Sequence, residues 1–220
     1  MATAETRTMT AITAEACQRL VEDLAVQHRA KEALRQLMWA GALATPALRR
    51  GLRHPSPAVR VGCCTVLDHH LDEAAIPELI ANLTHEDEEV RAWAMHALAC
   101  DRCKEGTCRP GEDDVLPIAL RMLREDASRR VRREAAHLLG RSALRRTDVC
   151  RALEEARDQD ADPLVRKIAR WYTPGGAIYR RLLPDTGEKR GSKPLRRPRP
   201  GSQLYSPPGK RAPAVAPTEA

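Results

Sequence analysis

The sequence predicts an all-α fold, an α-solenoid of four to five stacked antiparallel helix pairs, and three observations carry that prediction. Phe is absent and aromatic residues make up 3% of the 220-residue chain. The core must therefore come from Leu, Ala, Val and Met, which suits closely packed helices better than a β-sandwich. A Val followed by Arg recurs as Val59–Arg60, Val90–Arg91, Val131–Arg132 and Val165–Arg166. Three residues before each Val stands Ser56, Asp87, Ser128 or Asp162, types whose side-chain oxygens accept the free amides of a helix's first turn.

Taken in order, residues 1–13 precede the first periodic segment and are expected to be flexible. A weak first copy follows, with Asp23, Val26, Ala30, Ala33 and Leu34 in the repeat frame. In the stronger copies the apolar residues fall four, seven and eight positions after the Val, on one face of a helix. They are Cys63, Val66 and Leu67, then Ala94, Ala97 and Leu98, then Ala135, Leu138 and Leu139. Pro57 and Pro163 sit at the first helical position, where a missing N–H costs nothing. Partner helices are expected at PALRRGL from Pro46, PELIANL from Pro77, PIALRML from Pro117 and DVCRALEEA near Asp148. From Val26 onward the Val-to-Val steps are 33, 31, 41 and 34 residues, a period at which helix pairs stack because none buries its face alone.

The segments HPSPAVRVGCCTVL, HEDEEVRAWAMHAL, EDASRRVRREAAHLLG and DADPLVRKIARWY, with their Pro-initiated partners, resemble the HEAT-repeat proteins. They are most similar to the short bacterial HEAT-like repeats also found in phycobilin lyases. The resemblance spans about residues 20–172. It implies a solenoid over residues 14–173 whose Val–Arg helices line the concave side, and a family made mostly of binding scaffolds.

The 41-residue step carries an insertion at 99–115, ACDRCKEGTCRPGEDDV, with three of the chain's seven cysteines. In a reducing compartment such a cluster points to metal more than to disulfides. Cys100, Cys103 and Cys108 have the spacing for three thiolate ligands of a tetrahedral zinc. His69, in register with Cys100 in the preceding repeat, is the candidate fourth ligand, with His70 and His96 as alternatives. The competing reading is a polar loop with incidental thiols. Cys17, Cys63, Cys64 and Cys150 read as small core residues.

His96 and His137 lie six residues after Val90 and Val131, and Trp171 takes the same slot in the last repeat. That position turns away from the core, so the three are candidates for a partner-binding ridge; ordinary surface residues are the alternative. Residues 121–146 hold nine arginines against three acids, with Arg129, Arg132 and Arg133 as candidate contacts for a protein or a phosphate backbone. Residues 84–115 hold nine acids against four bases, so the two blocks could instead neutralise each other. The net charge of +7 resides in the last segment, 174–220, with ten bases, three acids and nine of the sixteen prolines. Such a tail is expected to be disordered.

No run approaches a membrane span, no secretory leader is visible, and the cytoplasm is the expected compartment. No Gly-rich phosphate loop, HExxH or GxSxG is present. The expectation is a non-enzymatic scaffold for a protein partner. Its alternatives are a nucleic-acid-binding protein using the Arg block and basic tail, and an enzyme related to the phycobilin lyases.

Overall fold

Eleven α-helices and two short 3-10 turns make up the described part of the computed structural model, residues 12–99 and 111–184. The helices are α1 (Ala14–Asp23), α2 (Gln27–Ala40), α3 (Thr45–Gly51), α4 (Pro57–His69), α5 (Ile76–Asn82) and α6 (Glu88–Ala99). They continue with α7 (Glu112–Glu125), α8 (Arg129–Leu139), α9 (Thr147–Gln159), α10 (Pro163–Tyr172) and α11 (Tyr179–Leu182). No strand occurs among the described residues. The α-solenoid is thus present, as five helix pairs from α1/α2 to α9/α10.

The Val–Arg helices α4, α6, α8 and α10 pack directly on one another in series, with α2 preceding them in the same layer. From the second pair onward successive partner helices meet less closely than this inner series, whereas α1 and α3 pack at least as closely as α2 and α4. Small residues on the Val–Arg helices permit the close approach within their series. Val59, Cys63, Val66 and Leu67 are buried, as are Val90, Ala94, Ala97 and Leu98, and Val131, Ala135, Leu138 and Leu139. Burial pushes the Cys64 thiol up to about 12, so it is a neutral core group. Cys17 and Cys63 are also buried and Cys150 is half-buried.

The arginine after each Val joins the repeats. Arg91 grips Asp126 of the next repeat with Nε and Nη2 at 2.8 and 2.9 Å, and its Nη1 donates to the carbonyls of His85 and Glu86. Arg132 repeats the pattern on Asp160 at 2.8 and 3.0 Å, with Nη1 on the carbonyls of Asp126 and Ala127. Asp126 and Asp160 in turn accept the amides of Ser128 and Asp162, the residues that open α8 and α10. Each carboxylate therefore holds a neighbouring repeat and the entry of its own helix. On α4 and α10 the pattern changes. Arg60 reaches Asn82 instead of a carboxylate, and Arg166 binds only the carbonyls of its own loop.

The capping follows the expected positions with two differences. Asp87 accepts the amides of Glu89 and Val90, and Asp162 those of Leu164 and Val165. Ser56 and Ser128 stand at the N-cap without a side-chain cap bond. Their own amides are held instead by His54 Nδ1 and Asp126 Oδ1, so the loop is fixed one step upstream. In the first repeat the register slips. Val26 is itself the residue before α2, Asp23 ends α1 and pairs with Arg29, and the buried face is Ala33 and Leu37, with Ala30 and Leu34 only half-buried.

Two boundaries also move. α7 begins at Glu112, inside the expected insertion, with Pro117 within the helix rather than at its start. Pro117 stands in the second turn, where the helix does without the N–H that would bond the Asp113 carbonyl. At the other end ordered structure runs to Pro184, past the expected limit of 173. The amide of Ile178 donates to Trp171 O, and Gly176 sits where a Cβ would strike the Arg170 and Trp171 carbonyls. Residues 1–11 and 185–220, hence most of both expected flexible termini, lie outside the described residues.

Arg91→Ala should leave Asp126 buried and unpaired and cost about 3 kcal/mol of stability. Arg151→Ala, which removes an exposed partner of Glu155, should cost less than about 0.5 kcal/mol. Urea denaturation of the two variants checks the contrast.

Candidate functional site

Six residues after the repeat Val, a helix points its side chains along the layer rather than into the core. The structure brings the predicted ridge residues together there and adds others. His96 on α6 accepts or donates through Nδ1 to Glu134 of α8 at 2.9 Å, and its Nε2 lies 3.7 Å from Asp68 of α4. One imidazole thus bridges carboxylates from the repeats on either side. His137 on α8 follows, its Nδ1 3.1 Å from the hydroxyl of Tyr172 on α10. Trp93 meets His96 edge-on at 5.6 Å, and Trp171 meets His137 at 6.2 Å between ring centres. Four consecutive Val–Arg helices are linked by this polar and aromatic chain.

Asp68, Trp93, Glu134 and Tyr172 were not among the sequence candidates. For Asp68 a signal existed. It falls nine residues after Val59, where the later repeats carry Ala99 and Gly140, so a charge occupies a slot meant for a small residue. The carboxylate is 4% exposed, and its Oδ1 has no hydrogen-bond partner among the described residues. The Gly140 slot shows why smallness matters, since a Cβ there would run into the Tyr172 ring.

Burial draws the His137 pKa below its ordinary value, and the nearby charges of His96 and Arg133 act the same way while Glu134 opposes them. The neutral ring accepts at Nδ1 from the Tyr172 hydroxyl.

The arginine block is largely spoken for. Arg132 belongs to the repeat ladder, at 14% side-chain exposure, and is not a partner contact. Arg130 pairs with Glu89 and covers the Trp93 ring at 5.5 Å. Arg129 lies 3.7 Å from Asp162, Arg145 pairs with Glu112, and Arg146 with Asp148 at 2.9 Å. Arg130–Glu89 and Arg145–Glu112 join the acidic and basic blocks across repeats, and among the described residues most arginines of the block are engaged, which leaves few to follow a phosphate backbone. Arg133 differs: its Nε is buried with no hydrogen-bond acceptor.

Of the predicted metal ligands, Cys100, Cys103 and Cys108 lie outside the described residues. His69 ends α4 half-exposed, with Nε2 4.0 Å from Asp68, and His70 follows it at the helix terminus. His69 and His96 therefore flank one carboxylate, one helical turn from where the insertion leaves α6. Among the described residues, no group of three His, Cys, Asp or Glu side chains is arranged to hold a metal ion. No helix among them is long and apolar enough to cross a membrane.

The fold and its interlocked repeats define an α-solenoid of the HEAT-repeat kind, and comparison with known proteins agrees. The model for HEAT repeats matches residues 45–105. A chain from the solved complex of CpcE and CpcF of phycocyanin lyase from Nostoc sp. PCC7120 is similar with a TM-score of 0.60, covering 72% of this chain and 98% of that one. At 20% sequence identity the likeness is one of fold. Among curated proteins, none matches the sequence.

The lowered His137 pKa means that the unfolded chain takes up the proton first as pH falls. The stability owed to the neutral ring is complete above the unfolded value, about 6.5, and is lost below it. Urea midpoints should fall from pH 7.5 to pH 5.5, and fall less in His137→Gln.

Proposed function

We propose that this protein is a HEAT-repeat scaffold that holds a protein partner along the curved layer of Val–Arg helices. The observation that carries the reading is the pair of inter-repeat links Asp68–His96–Glu134 and His137–Tyr172, flanked by Trp93 and Trp171, across four repeats. Half-buried aromatic rings held by fixed polar neighbours suit an anchor for another protein, because little side-chain freedom remains to be lost on binding. The similar solved chain is part of a two-protein complex, which is in keeping with a protein partner.

A photo-crosslinking amino acid placed at position 171 should capture the partner, whereas one at position 151 on the outer layer should not. Equal capture from both positions would remove the concave-face reading.

We also propose that the cysteine insertion binds zinc through Cys100, Cys103 and Cys108, closed by His69 or His96. The thiol spacing and the convergence of the two imidazoles on Asp68 support this, since a carboxylate beside a ligating histidine fixes its tautomer and orientation. Elemental analysis of reduced protein should find one zinc per chain in the wild type and less in Cys103→Ser. A metal-free wild type would overturn it.

A further inference from the structure

Two residues after the repeat Val, the four strong repeats carry Val61, Ala92, Arg133 and Lys167. The slot is apolar or small in the first two and cationic in the last two, so positive charge enters at one end of the layer. Arg133 on α8 and Lys167 on α10 occupy equivalent places on adjacent helices, whose axes lie about 10 Å apart.

Neither cation has an ion-pair partner among the described residues. The acids around Arg133 are already engaged. Glu134 is bonded to His96, and Asp162 caps α10 while facing Arg129. Arg133 Nε is buried and lacks an acceptor, which costs free energy, while the Nη groups are not buried in this way and remain the donors open to an incoming anion. Lys167 lies 5.8 Å above the Trp171 ring, and Leu164, one turn earlier on α10, is 46% exposed. An unpaired guanidinium, an ammonium, an indole and an exposed leucine thus share one patch.

We propose that this end of the concave layer is the recognition site for an acidic peptide segment of the partner. A carboxylate of the segment takes the fork of Arg133, a second anionic group meets Lys167, and a neighbouring apolar residue rests on Trp171 and Leu164. The assignment depends on the concave-face reading given above and adds its chemistry. A peptide fits better than a nucleic acid because this patch offers two cations, whereas a phosphate backbone needs a longer series. The apolar half of the patch also has no use in backbone recognition.

The test uses the full chain and a fluorescent twelve-residue peptide of alternating Glu and Leu, with a Gln-for-Glu version and a single-stranded oligonucleotide of equal length as comparisons. The Glu peptide should bind, the Gln version at least tenfold more weakly, and the oligonucleotide no better than the Gln version. Arg133→Met with Lys167→Met should lower affinity for the Glu peptide at least tenfold. Arg133→Met alone should keep or raise the melting temperature, because it deletes a buried donor that has no acceptor; a purely structural role predicts the opposite. Unchanged peptide affinity in the double variant, or oligonucleotide binding that exceeds peptide binding and is lost in that variant, would overturn the proposal. Should the peptide fail while crosslinking from position 171 still captures a partner, the acidic-segment assignment falls and the concave-face reading stands.

Discussion

Two guanidiniums, on α6 and α8, determine how the middle of this molecule is assembled. Arg91 and Arg132 each tie three things together: the loop preceding their own helix, the carboxylate of the next repeat, and through it the first turn of the next helix. The pairs are mostly buried, with Arg91 and Asp126 at 16% and 8% side-chain exposure. Burying such charges is expensive unless every donor and acceptor is met. Here the fork geometry meets the carboxylate twice, while the remaining N–H groups find carbonyls. Lysine, a point charge without the fork, cannot make the same set of bonds.

The ladder explains where the chain tolerates change. Arg91 stands near the start of α6 and the cysteine insertion follows its end at Ala99, about 12 Å further along the helix. Extra residues at that edge lengthen the step without disturbing the grip of Arg91 on Asp126. Arg60 on α4 meets an amide, Asn82, in place of a carboxylate, and Arg166 on α10, the last helix of the stack, bonds the carbonyls of its own loop. A second device acts near the N-terminal end. Glu78, 4% exposed, is bound by Arg49 and Arg53 at 2.8 and 2.5 Å. Burial raises its pKa, but the hydrogen bonds and charges of the arginines outweigh this and hold it below the ordinary range.

Much of this was legible in the residues. The Val-centred frame named the inward stripe of α4, α6 and α8, because that stripe follows spacing alone, and missed buried residues beside it such as Gly62, Asp68, Ala92, Met95 and Ala136. It found the ridge slot of His96, His137 and Trp171 for the same reason. The role of the following arginine was not legible: its partners lie 35 and 28 residues downstream, and a long flexible side chain carries no periodic signature. Arg132 was therefore counted with Arg129 and Arg133 as a surface contact, although only Arg133 lacks a partner. Asp68 and Glu134 escaped because they act through a histidine contributed by another repeat. The first repeat misled because Asp23 resembles a cap while the chain turns three residues later.

A double-mutant cycle on Arg132 and Asp160, each replaced by Ala and then both together, measures the inter-repeat bond most directly. A stack held by this ladder predicts a coupling of at least about 1.5 kcal/mol, beyond what surface pairs show. Additive losses, with a coupling below about 0.3 kcal/mol, would mean that apolar packing alone holds the repeats together and that the arginine merely follows it.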